Sequence, residues 1–185
     1  MRRRAAALLI AMLTAGALVV GVASEGSASV RRAKAPACAG KTKAKAVKAI
    51  KLAYLAFLDG VKYPTSADKE PYLQYMSGKS KSPALVASFE ASAAKNAAAA
   101  ATTSVAVHSV KCKGKTKADV KYDLVLGGKD SPGIAPPGSA IVDSGVWKVT
   151  GKALCDLEAL GDPTVLESGP CADIVSGIPP SDAGK

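Results

Sequence analysis

TSVAVHSVKCKGKTKADVKYDLVL, residues 103–126, is where the chain changes its hydrophobic period from about four to two, and its reading decides the fold. In its second half Ala118, Val120, Tyr122, Leu124 and Leu126 alternate with Asp119, Lys121 and Asp123, the pattern of a strand buried on one face. In its first half Val105 and Val107 fall in one phase but Val110 and Cys112 in the other, so the spacing predicts a strand over 104–112 with a bulge near His108 and Ser109. Gly114 joins the two strands as a hairpin. Around its tip stand Lys111, Lys113, Lys115 and Lys117, the densest run of charge in the chain.

Upstream the period is helical. From Lys41 to Leu58, apolar Val47, Ile50, Tyr54, Phe57 and Leu58 recur at steps of three and four, opposed by lysines, and Asp59-Gly60 ends the helix. A shorter helix is expected over 67–76 with Ser66 as cap, and Ser82-Pro83 opens a third that runs through Leu85, Val86 and Phe89 into the alanines ending near Ala101. Downstream, the Gly- and Pro-rich stretch 127–139 reads as a loop, 140–150 as one strand holding Trp147 and Val149, and Leu154, Leu157 and Leu160 as a short capping helix or turn. Helices first and antiparallel strands afterwards give an α+β domain.

The ends read differently. Arg2, Arg3 and Arg4 precede an uncharged apolar run to Ser24, the order of a signal peptide over 1–28, with cleavage expected after Ala28 in preference to Ala23 or to retention as an anchor. Residues 29–40 then read as a flexible leader pinned at Cys38, residues 41–171 as one domain and 172–185 as a flexible tail. At 185 residues, a multidomain enzyme is excluded. Cleavage would leave 22 basic against 14 acidic groups, a net charge of +8. Beyond Arg32 every strong base is lysine, which argues against specific nucleic-acid recognition, where planar bidentate guanidinium is favoured.

Cys38, Cys112, Cys155 and Cys171 have no CxxC spacing, and only His108 stands by to assist them, so export makes them two disulfides and not a metal site. Three connectivities are open. Cys155 with Cys171 is the expected short closure, about 3 kcal/mol in the chain-entropy model, leaving Cys38 to tie the leader to Cys112.

The series AYLAFLDG, YLQYMSG, SPALVASF and GVWKVTGKALCDL (residues 53–60, 72–78, 82–89 and 145–157), with hairpin strands before the last, resembles the nuclear transport factor two-like cone fold. More narrowly it is similar to secreted actinobacterial proteins of the mycobacterial low-molecular-weight antigen family. The resemblance implies helices on a curved antiparallel, cystatin-like sheet, and an exported, immunologically visible protein without an established activity. It carries over no catalytic or binding residue.

No GxSxG is present, and Gly127-Gly128 lacks the strand-loop-helix setting of a phosphate cradle, so no cofactor is expected. The leading expectation is a secreted, non-enzymatic binding or interaction protein of unknown ligand that uses the cone pocket, the lysine hairpin or both, with Lys111, Lys113, Lys115, Lys117 and His108 as candidate ligand-binding residues and anionic envelope polymer or lipid headgroups as candidate partners. One alternative is a small dehydratase or isomerase that sets His108 against Asp119 or Asp123 in the cone pocket. Another is a structural protein of the envelope.

Overall fold

The computed structural model describes residues 34–184, so the expected signal peptide over 1–28 lies outside the described residues, as does the start of the leader. The main helix, α1 (Lys43–Leu58), buries Ala46, Ile50, Ala53, Tyr54, Ala56, Phe57 and Leu58 along one stripe and packs on the strands at 103–112 and 146–149. The strongly curled antiparallel sheet consists of β1 (Thr103–Cys112), β2 (Lys117–Leu126), β3 (Lys129–Ser131), β4 (Gly138–Asp143) and β5 (Val146–Val149). Their order is β1-β2-β4-β5, with β3 on the free edge of β2's far end. It is an α+β cone: the helix lies in the curl, and Tyr54, Trp147, Ile50, Leu73, Met76, Leu85 and Leu154 fill the space between them.

Ser82 caps α3 (Pro83–Lys95), its Oγ accepting from the Leu85 N–H at 3.1 Å. The alanine run continues as a single turn, α4 (Ala97–Ala100). Gly60 sits against that turn so closely that a Cβ there would collide with the Ala100 carbonyl oxygen, which explains a glycine just after α1.

Two elements differ from the sequence expectation. The helix expected over 67–76 is one turn, α2 (Ser66–Lys69), and its cap is Thr65 and not Ser66. Thr65 Oγ1 accepts from the Asp68 N–H at 3.2 Å while the Asp68 carboxylate accepts from the Thr65 N–H at 3.1 Å, a reciprocal capping box. Pro71, which has no N–H to offer, then tightens the chain into a 3-10 turn, Glu70–Tyr72, and Leu73 leaves it extended to bridge Val149. The single strand expected over 140–150 is the β4–β5 hairpin. Ser144 and Gly145 both take positive φ, 52° and 79°, as a two-residue hairpin turn requires.

The described parts of both end segments make contacts with the domain. In the leader, the Ala35 N–H donates to the Gly145 carbonyl at 2.9 Å and Trp147 Nε1 donates to the Pro36 carbonyl at 2.8 Å. After α5 (Gly151–Glu158), α6 (Gly169–Val175) continues past Cys171 and buries Ile174. Asp182 Oδ2 accepts from the Ala84 N–H at 2.7 Å, supporting the start of α3. Side chains such as Ile174 and Trp147 gain a core from partners distant in sequence, which local composition does not announce.

Candidate functional site

The hairpin between β1 and β2 is the most strongly charged feature of the sheet. Its turn closes with the Lys113 N–H donating to the Lys117 carbonyl at 2.8 Å, and Gly114 takes φ 86° at the tip. Inward-facing Ala118 and Val120 anchor β2 in the core, so alternation turns Lys117, Asp119 and Lys121 outward. Lys111, Lys113, Lys115 and Lys117 are all exposed. Lys113 Nζ lies 3.2 Å from Asp119 Oδ2, whereas Lys111, Lys115 and Lys117 have no carboxylate partner among the described residues.

The Cys38–Cys112 disulfide fastens this hairpin to the leader, and the Cys38 N–H donates to the Lys115 carbonyl at 2.9 Å. The same fastening brings the start of α1 close. There Lys41, Lys43 and Lys45 are exposed, and α1 carries no acidic residue in its first turn. A helix N-terminus is already the positive end of the backbone dipole. The lysines of two elements and that dipole therefore add to one positive field.

The bulge places His108. Val107 pairs with Tyr122 and Ser109 with Lys121, so His108 is the extra residue on β1. Its Nε2 lies 2.7 Å from Asp123 Oδ2, while Asp119 goes to Lys113 instead. The His108 side chain is 55% exposed, so the pair works in water and the carboxylate chiefly orients the ring.

Beside it opens a cleft of about 840 Å³. It lies where β2, paired with β4 at 117–120 and with β3 at 124–126, has no strand partner on that edge over 121–123. Lys121, Lys152 and Asp156 line it with His108 and Asp123, and Lys152 Nζ is held by Asp156 at 2.7 Å. Tyr122 forms part of its wall, with its hydroxyl buried and without a partner among the described residues. Burial, with Asp156 adding to it, pushes that phenol up to about 12, so it stays protonated and neutral. Tyr54, whose hydroxyl is also pushed up by burial, donates to the Ser139 carbonyl at 3.0 Å, and the two rings lie 5.0 Å apart. The close approach of Gly138 makes this possible, since a Cβ there would come within 2.5 Å of the Tyr54 hydroxyl oxygen.

Among the described residues no group of three or more His, Cys, Asp or Glu side chains could hold a metal ion. The second disulfide, Cys155–Cys171, joins α5 to α6. Sequence reasoning missed two buried ionisable groups. Lys148 is 2% exposed and is held by Asp143 Oδ2 at 2.9 Å and the Ser77 carbonyl at 2.9 Å. Glu158, at the end of α5, has a buried carboxyl oxygen. No spacing marks either one, although a lysine between Trp147 and Val149 in an apolar strand is an available signal for the first.

A family model described as Low molecular weight antigen MTB12, C-terminal domain, matches residues 64–164. The matched stretch holds the entire sheet, Cys112 and Cys155, and leaves out α1, Cys38 and Cys171. No curated protein and no solved structure matches the chain. No helix among the described residues is long and apolar enough to cross a membrane.

Proposed function

Since the chain belongs to the family of the low molecular weight antigen MTB12, matched through its C-terminal domain, we propose that it is an exported, non-enzymatic binding protein of an actinobacterial envelope. Its lysine hairpin holds an anionic envelope polymer. The observation that carries this reading is that Lys111, Lys115 and Lys117 stand exposed and without carboxylate partners among the described residues, on a hairpin fixed by a disulfide. The disulfides and the antigen family are both compatible with an extracellular protein.

Hydrated ammonium groups grip weakly. Each exposed pair is worth about 0 to 1 kcal/mol, so affinity comes from several lysines acting together and is screened by salt. The test is retention on purified anionic envelope polymer, with anionic vesicles alongside, for wild type and for a variant with all four hairpin lysines changed to serine. Wild type should be retained on the polymer at low salt and released as salt rises several-fold, and the variant should pass through. Equal retention of both proteins contradicts the reading, and retention on vesicles alone transfers the surface to lipid headgroups.

One second reading has an observation in its favour. His108 paired to Asp123 at the rim of a cleft is a proton-transfer couple for a small bound molecule. His108→Ala separates the two, because it removes that couple and leaves the four lysines, so polymer retention should not change.

A further inference from the structure

β1 is an end strand of the sheet, and among the described residues only β2 pairs with it. Two hydrogen bonds fix which way its backbone points. The Gly127 N–H donates to the Thr102 carbonyl at 3.0 Å from the side of β2, and the Gly60 N–H donates to the Thr103 carbonyl at 3.1 Å from the other side. In an antiparallel ladder this direction alternates residue by residue, so Val105 and Val107, like Thr103, aim their N–H and C=O groups away from β2. No group among the described residues hydrogen-bonds to those of Val105 and Val107 there. We propose that this free edge takes an extended segment of a partner protein as an added strand, apolar at alternate positions and acidic where it passes Lys51.

The flank of the edge is shaped to receive side chains. Val105 and Val107 stand in the inner phase, opposite Leu124 and Tyr122, and with Lys51, Leu52 and Leu55 of α1 they line a groove of about 340 Å³. Leu52 is 42% exposed. A strand laid along β1 would pair its main chain with Val105 and Val107 and set every second side chain into this groove, so that backbone bonds supply affinity and the groove supplies selectivity. Natural sheets guard such edges with a lysine, a proline or a bulge. Residues 103–107 contain neither lysine nor proline, and the bulge comes only at His108.

Charge selects the occupant. α1 carries Lys43, Lys45, Lys48 and Lys51 and no acidic residue. Lys48 and Lys51 are exposed and have no carboxylate partner among the described residues. Pairing β1 with the β1 of a second copy would put two such lysine rows on one side of the joined sheet, where they repel. An acidic segment of a different protein meets them with the opposite sign. This inference is independent of the lysine hairpin, which lies beyond the bulge at the other end of β1.

The experiment titrates the full chain with the peptide acetyl-Glu-Thr-Val-Thr-Val-Thr-Glu-amide, whose valines and glutamates share one face of a strand. The NMR amide signals of Val105 and Val107 and the methyl signals of Leu52 and Leu55 are read. All should move, and the two amides should exchange more slowly with solvent. Lysine in place of both glutamates should weaken binding about tenfold. The peptide N-methylated at both valines should not bind, because its donors toward β1 are gone. Val105→Pro removes one donor at the free edge, leaves the ladder with β2 intact and should weaken binding about tenfold, whereas Val105→Thr should bind as wild type does. The variant with the four hairpin lysines changed to serine should also bind as wild type does. Unmoved edge signals, or equal binding of the N-methylated peptide, would overturn the proposal. So would a concentration-dependent shift of the same amides without peptide, which would make the occupant a second copy.

Discussion

Glu158 and Lys148 show what a single buried charge does in this chain. Glu158 has an ordinary value of 4.5 when unfolded and about 7 when folded, so between those values the folded state binds more protons. The stability it contributes is full below about pH 4.5 and is lost as pH rises through 7. Glu158→Gln should therefore flatten the pH dependence of unfolding between 4.5 and 7 and stabilise the protein at pH 8 by roughly 1–3 kcal/mol, measured by urea unfolding. Lys148 is different because its charge is met. Asp143 loses solvation by burial, yet the hydrogen bonds from Lys148 and Ser80 outweigh that and hold its carboxyl below the usual range. Lys148→Ala leaves Asp143 without its cation and should cost about 3–5 kcal/mol by the same measurement. Only Lys148 had a signal, its place between Trp147 and Val149 in an apolar strand; Glu158 had none, because a residue's type gives its charge and only the fold gives its surroundings.

At the scale of elements, legibility followed the local physics of each turn. The β1 bulge was readable because the apolar phase itself slips between Val107 and Val110, and the register shift falls there. The Ser82 cap was readable because its hydroxyl and Pro83 act within one turn. The β4–β5 hairpin was not, since a turn of only Ser144 and Gly145 leaves the apolar pattern on both sides nearly continuous. The one-turn α2 was not legible as such, because the apolar spacing of Tyr72, Leu73 and Met76 suits a helix while Pro71 turns the chain into a 3-10 turn just after Lys69. Between elements, the Cys38–Cys112 disulfide spans 74 residues, a loop whose closure contributes about 4 kcal/mol in the chain-entropy model. Changing both cysteines to serine should lower stability by that order. It should also raise hydrogen exchange at the Lys113 N–H more than at the Val149 N–H, since only the former lies on the released hairpin. Equal acceleration at both amides would mean that the disulfide steadies the whole domain and does not position the hairpin.

For the whole molecule, the cone separates two kinds of surface. The sheet's outer face and the start of α1 carry the lysines, His108–Asp123 stands at the rim of one cleft, and leucines with Glu158 line a second cavity. The α+β order and the exposed hairpin were legible from the change of period alone. The two cavities were not, because each is lined by residues far apart in the chain. On the proposed reading, the four hairpin lysines bind an anionic polymer collectively. The direct measurement is the salt concentration that releases the protein from immobilised envelope polymer, for wild type, His108→Ala and the variant with Lys111, Lys113, Lys115 and Lys117 changed to serine. Collective binding by the lysines should give release of wild type and His108→Ala at the same salt and no retention of the lysine variant, whereas retention of all three to the same salt would rule it out.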